Sequence, residues 1–289
     1  MNNRFLIIVI MLCNVTVFSQ TKQCISVNGN VGMVSLSYSL DKGSCKPRIG
    51  FGGKVAYSFY FASQWGIGTG LEFSTSSTDG FLDGAKVSFY DKVDDEGDMY
   101  RKDVYFRDWH ERQKIFFVEI PVLLHYQYDF GLKKRRKIYI NMGAKVHLPL
   151  VANYQVTRGE LEIQGYYEKW NVTLFGLPNH GFGKESSKTN GGKLNIPLNV
   201  SATVGIGFSF EVSKIIDVFV GGSFEYGFMN LKESTQGDLL YEDNTQNLQY
   251  RGILFSSSIE KVNAISVKGE AGVRIAVGKP VYRGFYKHR

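Results

Sequence analysis

A regular alternation of apolar and polar residues runs through residues 115–130. Its even positions are all apolar or aromatic, whereas its odd positions include Glu119, His125 and Gln127. A period of two predicts a β-strand whose two faces lie in different surroundings. The alternation exceeds the roughly five or six residues of an ordinary soluble strand and suffices for the roughly 9 to 11 residues of a tilted membrane-spanning strand. We therefore expect a transmembrane strand with its apolar face toward lipid.

Seven further segments alternate in a similar way. They lie at residues 25–38, 49–61, 66–77, 138–154, 194–212, 218–228 and 265–277. With the opening strand they make eight, so the first and last can pair and close a barrel without an unpaired edge. Short connections at 62–65, 131–137 and 213–216 alternate with long polar stretches at 78–113, 157–193 and 229–263. The sequence predicts an all-β, eight-stranded antiparallel up-and-down transmembrane barrel, with short periplasmic turns and long extracellular loops.

The first segment is the least regular of the eight. Its apolar phase changes between Met33 and Val34, which indicates a bulge or a later start, and the Asn28-Gly29 pair is also compatible with a hairpin turn. A disulfide between Cys24 and Cys45 would favour the hairpin. One membrane-spanning strand between these cysteines would instead hold them on opposite sides of the membrane, beyond the roughly 4.4 to 6.8 Å between Cα atoms that a disulfide requires.

Two of the alternating segments run to 17 and 19 residues. On the segment at 138–154 the even positions, through Ala152 and Tyr154, form one apolar face. On the segment at 194–212 the apolar even face begins at Leu194 and Ile196. We expect all four of these side chains to face lipid with the rest of their rows.

The N-terminus predicts export. Arg4 precedes an apolar core at residues 5–18, which is too short for the roughly 20 residues of a membrane-spanning helix. We expect residues 1–19 to be a signal peptide cleaved after Ser19, and residues 20–289 to form a single outer-membrane β-barrel domain. Leu12 before Cys13 disfavours a lipoprotein. Removing residues 1–19 takes away Arg4 alone, so the net charge falls from +7 to about +6.

Charged and polar residues on the predicted inward faces form a candidate interior cluster. Its members are Lys54, Glu72, Glu119, Lys145, His147, Glu211, Glu225, Lys268, Glu270 and Arg274. Because an eight-stranded barrel is only wide enough for side chains to fill it, we expect a salt-bridged plug and no open pore. A hairpin centred near Lys133 would set Glu119 opposite His147. Such a pair could act as a general base, but without a nucleophile beside it we interpret it as structural.

Other motifs point to no metal, cofactor or nucleic acid. The acidic residues around Gly97 lack the spacing of an EF-hand loop, and we interpret them as a solvated loop crest. The basic run at 133–137 falls on a periplasmic turn, where contact with lipid headgroups or water is the simpler expectation. The histidines at positions 110, 125, 147, 180 and 288 show no metal-binding spacing.

Three short stretches carry a family resemblance. They are residues 117–124 (FVEIPVLL), residues 138–143 (IYINMG) and residues 46–53 (KPRIGFGG). Together they resemble the aromatic-x-Glu-Ile-Pro strand, its partner and the second strand of the outer-membrane β-barrel family abundant in Bacteroidetes, and a signal ending in Ser-Gln fits the same source. The resemblance implies a fold and an outer-membrane location but no chemistry. One branch, similar to the PorT component, assists type IX secretion.

The favoured function is a non-enzymatic outer-membrane barrel, structural or surface-binding through its long extracellular loops. Its expected partners are outer-membrane lipids and lipopolysaccharide, and we expect a monomer. A protein partner at the loops, or a PorT-like accessory role with the secretion machinery, stays open. Two further candidates are a secreted soluble β-barrel binding module, whose apolar faces would point inward, and an outer-membrane enzyme acting on lipid or peptide.

Overall fold

A computed structural model describes residues 22–131, 135–186, 191–232, 237–245, 247–257 and 259–277. The predicted signal peptide and residues 132–134 of the basic turn lie outside this part of the chain. The described strands are β1 (Lys22–Ser37), β2 (Gly43–Pro47), β3 (Ile49–Tyr60), β4 (Trp65–Leu82), β5 (Lys86–Val93), β6 (Met99–Phe130), β7 (Arg136–Tyr167), β8 (Val172–Leu174), β9 (Gly183–Ser186), β10 (Gly191–Lys193), β11 (Asn199–Glu211), β12 (Ile216–Gly227), β13 (Leu240–Glu242), β14 (Leu248–Tyr250) and β15 (Asn263–Val277). Short 3₁₀ turns occupy Glu168–Trp170, Pro178–His180 and Ile253–Phe255. No helix in the described ranges has the length and apolar character needed to cross a membrane.

Eight strands form a closed ring. Its order is β1, β3, β4, β6, β7, β11, β12 and β15, and β15 pairs back onto β1. Every pairing around the ring is antiparallel, and each ring strand lies beside the next one along the chain. This arrangement confirms the predicted eight-stranded up-and-down topology. We call the end with connections at 61–64, 131–135 and 212–215 the short-turn end, and the opposite end the long-loop end.

The outward face of the ring is apolar and exposed. Its side chains include Phe51, Ile67, Val122, Ile206 and Val220. On β6 this apolar band extends over residues 116–128, which corresponds to a height of roughly 30 Å at about 3.4 Å per residue and a tilt of about 40°. That height matches a bilayer's hydrocarbon core. The position of the apolar face contradicts the prediction of a soluble barrel.

Strand β1 is continuous, so neither a bulge nor a hairpin explains the irregular pattern of its sequence. Its register against β15 is unbroken from Gln23 to Ser37. Both described cysteines are free; Cys24 lies near the short-turn end and Cys45 lies beyond the ring on β2. The apolar phase changes because the inward face is polar at Asn28 but apolar at Leu36, which is buried above the ring.

A β-bulge in β7 corrects the predicted orientation of Ala152 and Tyr154. Phe116 pairs with Val151 and Phe117 pairs with Pro149, so Leu150 is an extra residue on β7. Leu150 and Val151 are both exposed, at 60% and 54%. Because an extra residue reverses the alternation that follows it, Ala152 and Tyr154 point inward and are buried.

The long stretches predicted as loops continue the barrel strands outward. Strands β6 and β7 are 32 residues each and pair almost throughout their length. Together with β2, β5, β8–β10, β13, β14 and the described residues of their connections, their outer parts form a unit at the long-loop end that we call the cap. Its apolar core includes Phe106, Trp109, Leu231, Leu254 and Ile259.

The cap also corrects the expected positions of Leu194 and Ile196. Both are buried in its apolar core. They precede β11, which begins only at Asn199 and carries the lipid-facing row. Their alternation therefore belongs to the cap and not to a longer membrane strand.

Candidate functional site

Five buried charged side chains from five strands meet in the middle of the ring. We call them the lumenal cluster: Glu72 on β4, Glu119 on β6, Lys145 on β7, Glu225 on β12 and Lys268 on β15. Each is on the inward phase of its strand, and each is buried. All five were predicted on the inward face.

Each lysine of the lumenal cluster contacts all three carboxylates. Lys145 Nζ lies 2.6 Å from Glu72 Oε2 and 3.4 Å from Glu119 Oε2, and it also contacts Glu225. Lys268 Nζ lies 3.2 Å from Glu72, 3.6 Å from Glu119 and 3.3 Å from Glu225. Two ammonium groups therefore sit on either side of three carboxylates. Buried charges are tolerated only when they are paired in this way.

Neutral side chains add hydrogen bonds to the three carboxylate oxygens that Lys268 also contacts. Asn30 Nδ2 donates to Glu72 Oε1 at 2.9 Å, and the Ser266 hydroxyl donates to Glu225 Oε2 at 3.1 Å. The Ser74 hydroxyl donates to Glu119. These donors bring β1 into the network and add further contacts from β4 and β15. The cluster thus cross-links opposite walls of the ring.

A second layer lies toward the short-turn end. Glu270 accepts a hydrogen bond from Asn28 at 2.9 Å, from Lys54 at 3.2 Å and from Tyr139 at 3.2 Å. The guanidinium of Arg274 lies 5.8 Å from the centre of the Tyr139 ring, on the same side of the lumen. Lys54, Glu270 and Arg274 therefore extend the interior network as predicted.

Two predicted positions need correction near the short-turn end. Glu211 is the last residue of β11, opposite Asp217 and only half-buried, and it lies ten residues past Ser201, which is level with Lys145, so it is too far toward the short-turn end to join the cluster. Lys137 was expected on a solvated or lipid-contacting turn. It is buried instead, and its Nζ lies 3.1 Å from Asp217 Oδ2, because it occupies an inward position of β7.

The cavities beside the interior network are small. Two cavities of about 20 Å³ each lie beside the network, one lined partly by Ser26, His125 and Arg274 and the other partly by Asn30 and Thr203. A volume of this size holds about one water molecule. At these two places the side chains leave room for little more than a water molecule.

The predicted Glu119–His147 pair is present, and the structure adds a third residue. Glu119 pairs with His147 in the β6–β7 register, and Glu119 Oε1 lies 3.4 Å from His147 Nδ1. The Ser201 hydroxyl lies 2.6 Å from His147 Nε2. Sequence reasoning missed Ser201 because its proximity depends on the β7–β11 register, in which Ser201 lies opposite Lys145. This hydroxyl, imidazole and carboxylate have the order of a nucleophile, base and orienting group.

The same region contains atoms that could ligate a metal ion. Ligand atoms of Glu119, His147 and Glu225 all lie within 4.8 Å of one another. The ammonium groups of Lys145 and Lys268 already contact both carboxylates. A cation would have to displace them, so the charges of this site are better matched by the two lysines.

In the cap, one buried carboxyl group anchors the loop before β15 to β6. Glu111 is fully buried and accepts hydrogen bonds from the Tyr250 hydroxyl at 2.6 Å, the Gln113 amide at 2.7 Å and the Ile253 N–H at 2.9 Å. Burial raises the pKa of Glu111 above its ordinary value, although these three donors act in the opposite direction. Glu111 thus belongs to a polar contact inside an otherwise apolar core.

The acidic residues around Gly97 form the tip of the β5–β6 hairpin. Asp94 Oδ1 accepts hydrogen bonds from the Glu96 and Asp98 N–H groups at 3.1 and 2.8 Å, and its Oδ2 accepts one from the Tyr167 hydroxyl at 3.0 Å. The Asp98 N–H is the main reason that the pKa of Asp94 lies below its usual range. The oxygens of Asp94 therefore stabilise the turn.

Comparison with known families agrees with this geometry. The model described as "Outer membrane protein beta-barrel domain" matches residues 18–233. The chain belongs to this outer-membrane β-barrel family. Its membership indicates that the ring lies in the outer membrane.

Several solved outer-membrane proteins share a general likeness with this family member. Ail, the attachment invasion locus protein of Yersinia pestis, is 13% identical with a TM-score of 0.30, and the match covers 89% of this chain and 100% of Ail. A major outer membrane protein of Thermus thermophilus is 12% identical, with a TM-score of 0.38 and coverage of 90% and 100%. OprG of Pseudomonas aeruginosa is 8% identical, with a TM-score of 0.37 and coverage of 89% and 96%. Similarity this low says nothing about the chemistry of the chain, and no curated protein matches it.

Proposed function

We propose that this protein is a non-enzymatic outer-membrane barrel with a filled lumen that presents its cap at the cell surface as a binding platform. The lumenal cluster carries the proposal, because two lysines and three glutamates from five strands cross the centre of the ring. An open channel along this path would require the ion pairs to separate. The long-loop end faces outward in this proposal, as is general for bacterial outer-membrane barrels.

The cap supports a binding role. It has its own apolar core, and it also exposes large aromatic side chains, including Tyr90, Trp170 and Phe175. Aromatic residues on a rigid surface are enriched where proteins bind partners. Residues 86–102 and 167–186 carry these side chains and are the part of the cap where we expect a partner to bind.

Planar-bilayer recording of the purified full-length protein tests the filled lumen. We expect no stepwise conductance from folded protein. A variant in which Lys145 and Lys268 are both replaced by Ser should remove the central contacts and increase conductance if it inserts. Stable ohmic channels from the unaltered protein would contradict the proposal.

The Ser201–His147–Glu119 arrangement is the strongest argument for an enzyme, and it can be tested separately. Ser201 is only 1% exposed, and neither of the two small cavities described above is lined by Ser201 or His147. We therefore expect no labelling of the folded protein by a fluorophosphonate probe. Labelling that disappears in a Ser201→Ala variant would overturn the non-enzymatic proposal.

A PorT-like accessory role in type IX secretion is the second candidate. The stretch at residues 117–124, which contains the Glu-Ile-Pro sequence, favours it through the resemblance to the Bacteroidetes family. Crosslinking in the native host followed by purification should then recover secretion components. Recovery of the protein alone, as a monomer, would favour the surface-binding role.

A further inference from the structure

We propose that a basic surface on one side of the barrel binds the phosphate groups of lipid A, the phosphorylated glycolipid of the outer leaflet. We call this surface the basic rim, and its members are Lys46, Arg48, Arg112, Lys114 and Lys193. It is separate from the cap's aromatic surface and from the lumen. The inference depends on the proposed function only for the orientation of the long-loop end toward the outside.

The basic rim spans neighbouring strands. Lys114 on β6 lies opposite Ser77 on β4 and Asn153 on β7, and Asn153 in turn lies opposite Lys193 on β10. Lys114, Asn153 and Lys193 are all exposed. Two strand spacings of about 4.8 Å put the backbones of the two lysines about 10 Å apart. Long flexible lysine side chains at this separation can converge on one phosphate group from two sides.

The rim begins where the apolar band ends. On β6 the last outward apolar residue is Phe116, which stacks with Phe73 at 6.2 Å between ring centres, and Lys114 is the next outward residue. On β7 the exposed Val151 is followed two residues later by Asn153. A two-residue step is about 7 Å along a strand. Lys114 is therefore at the depth where lipid headgroups meet the hydrocarbon, within reach of the phosphates.

Charge at the rim is unbalanced. Asp79 is the one carboxylate that pairs with rim residues in the described part of the chain, and it lies 2.7 Å from Arg48 and 3.0 Å from Arg112. Burial acts to raise the pKa of Asp79, but hydrogen bonds from these two arginines outweigh burial and lower the pKa, so Asp79 stays ionised. Five cationic side chains against one carboxylate leave a net charge of about +4.

The two lysines are the best candidates for direct contact with phosphate. Neither Lys114 nor Lys193 has a carboxylate within salt-bridge distance among the described residues, in contrast to Arg48 and Arg112. Lysine binds phosphate as a compact point charge with three donors. We assign Lys114 and Lys193 to the phosphate and the Arg48–Asp79–Arg112 group to the flank of the site.

Binding of diphosphorylated lipid A to the purified, folded full-length protein in detergent tests the proposal. Replacing Lys114 and Lys193 by Gln should weaken binding about 25-fold, since each cation near an anionic lipid surface contributes about five-fold. Lys214→Gln is the matched control, because Lys214 is exposed at the short-turn end and should leave the affinity unchanged. A gel with and without heating shows that each variant is folded.

Two further comparisons separate lipid A from free phosphate. Removing the phosphates from lipid A should weaken its binding to the unaltered protein at least as much as the double substitution weakens the binding of diphosphorylated lipid A. Inorganic phosphate at millimolar concentration should not displace the lipid, because the acyl chains hold it against the apolar band. The proposal is overturned if the double variant binds as tightly as the unaltered protein, if Lys214→Gln loses as much affinity, or if inorganic phosphate displaces the lipid.

Discussion

The interior of the ring and the interior of the cap are built from the same strands but have opposite chemistry. On β7, Lys145 and His147 point into the ring, whereas Tyr154 and Val156 point into the cap. In the ring the apolar residues face outward, because lipid surrounds it. In the cap they face inward, because water surrounds it. Alternation in a β-strand thus reports that its two faces differ, and the surrounding solvent decides which face is polar.

The largest expected change in unfolding free energy comes from removing one charge inside the ring. Lys145→Met would leave three buried carboxylates with one lysine, and loss of a partner from a buried ion pair costs about 3–5 kcal/mol of unfolding free energy. Urea titration of the protein refolded into lipid vesicles measures this loss of unfolding free energy. The control Glu211→Gln, half-buried at the end of β11, should change the free energy by about 0.5 kcal/mol or less.

A double variant shows whether charge is the cause. Replacing Lys145 by Met and Glu225 by Gln removes one charge of each sign from the same contact. Part of the lost stability should return. The contradicting result is additivity, in which the unfolding free energy lost by the double variant equals the sum of the losses caused by Lys145→Met and by Glu225→Gln alone. Additive losses would mean that the two residues act independently and that the account of the lumenal cluster is wrong.

The outward faces can be compared with a second pair of variants. Val122 on the ring and Val93 on the cap are exposed to similar extents, 64% and 59%. Val122→Arg should cost about 2–4 kcal/mol if the position lies near the bilayer midplane. Val93→Arg should change stability by about 0.5 kcal/mol or less in water. Equal effects in the same urea titration would mean that the two surfaces share one solvent.

The smallest expected effect concerns the pH dependence of the cap. The pKa of Glu111 is raised in the folded protein, so folding takes up a proton and is favoured at low pH. As the pH rises from the ordinary glutamate pKa through the raised value, the cap should lose stability. Glu111→Gln should abolish this dependence and otherwise change stability by about 1 kcal/mol. Hydrogen exchange of the Ile253 amide between pH 4 and 8 measures it, and an unchanged pH profile in the variant would exclude Glu111 as the titrating group.

Strand order and the interior charges could be read from the sequence because they depend on local alternation and short turns. The Glu119–His147 pairing followed from one hairpin of short connection. The reversal at Ala152 and Tyr154 could not be predicted, because Leu150 and Val151 are both apolar and give no sign of a bulge. Ser201 was missed because its contact with His147 depends on the register of strands separated by a long connection.

The cap was the main failure of the pattern-based prediction. The stretch at 78–113 looks like a polar loop, yet it contains the end of β4, all of β5 and half of β6. Charged residues on its outer face and apolar residues on its inner face average to a polar composition. Only the three-dimensional arrangement shows that Trp109, Leu194 and Leu231 belong to one core.

Fractionation of the native host membranes, followed by gel electrophoresis of the outer-membrane fraction with and without heating, tests the central claim most directly. We expect the protein in that fraction, with faster migration before heating, because a closed ring cross-linked by its lumenal cluster resists detergent. Recovery as a soluble protein whose migration is the same before and after heating would contradict a membrane barrel and everything inferred from its lipid-facing surface.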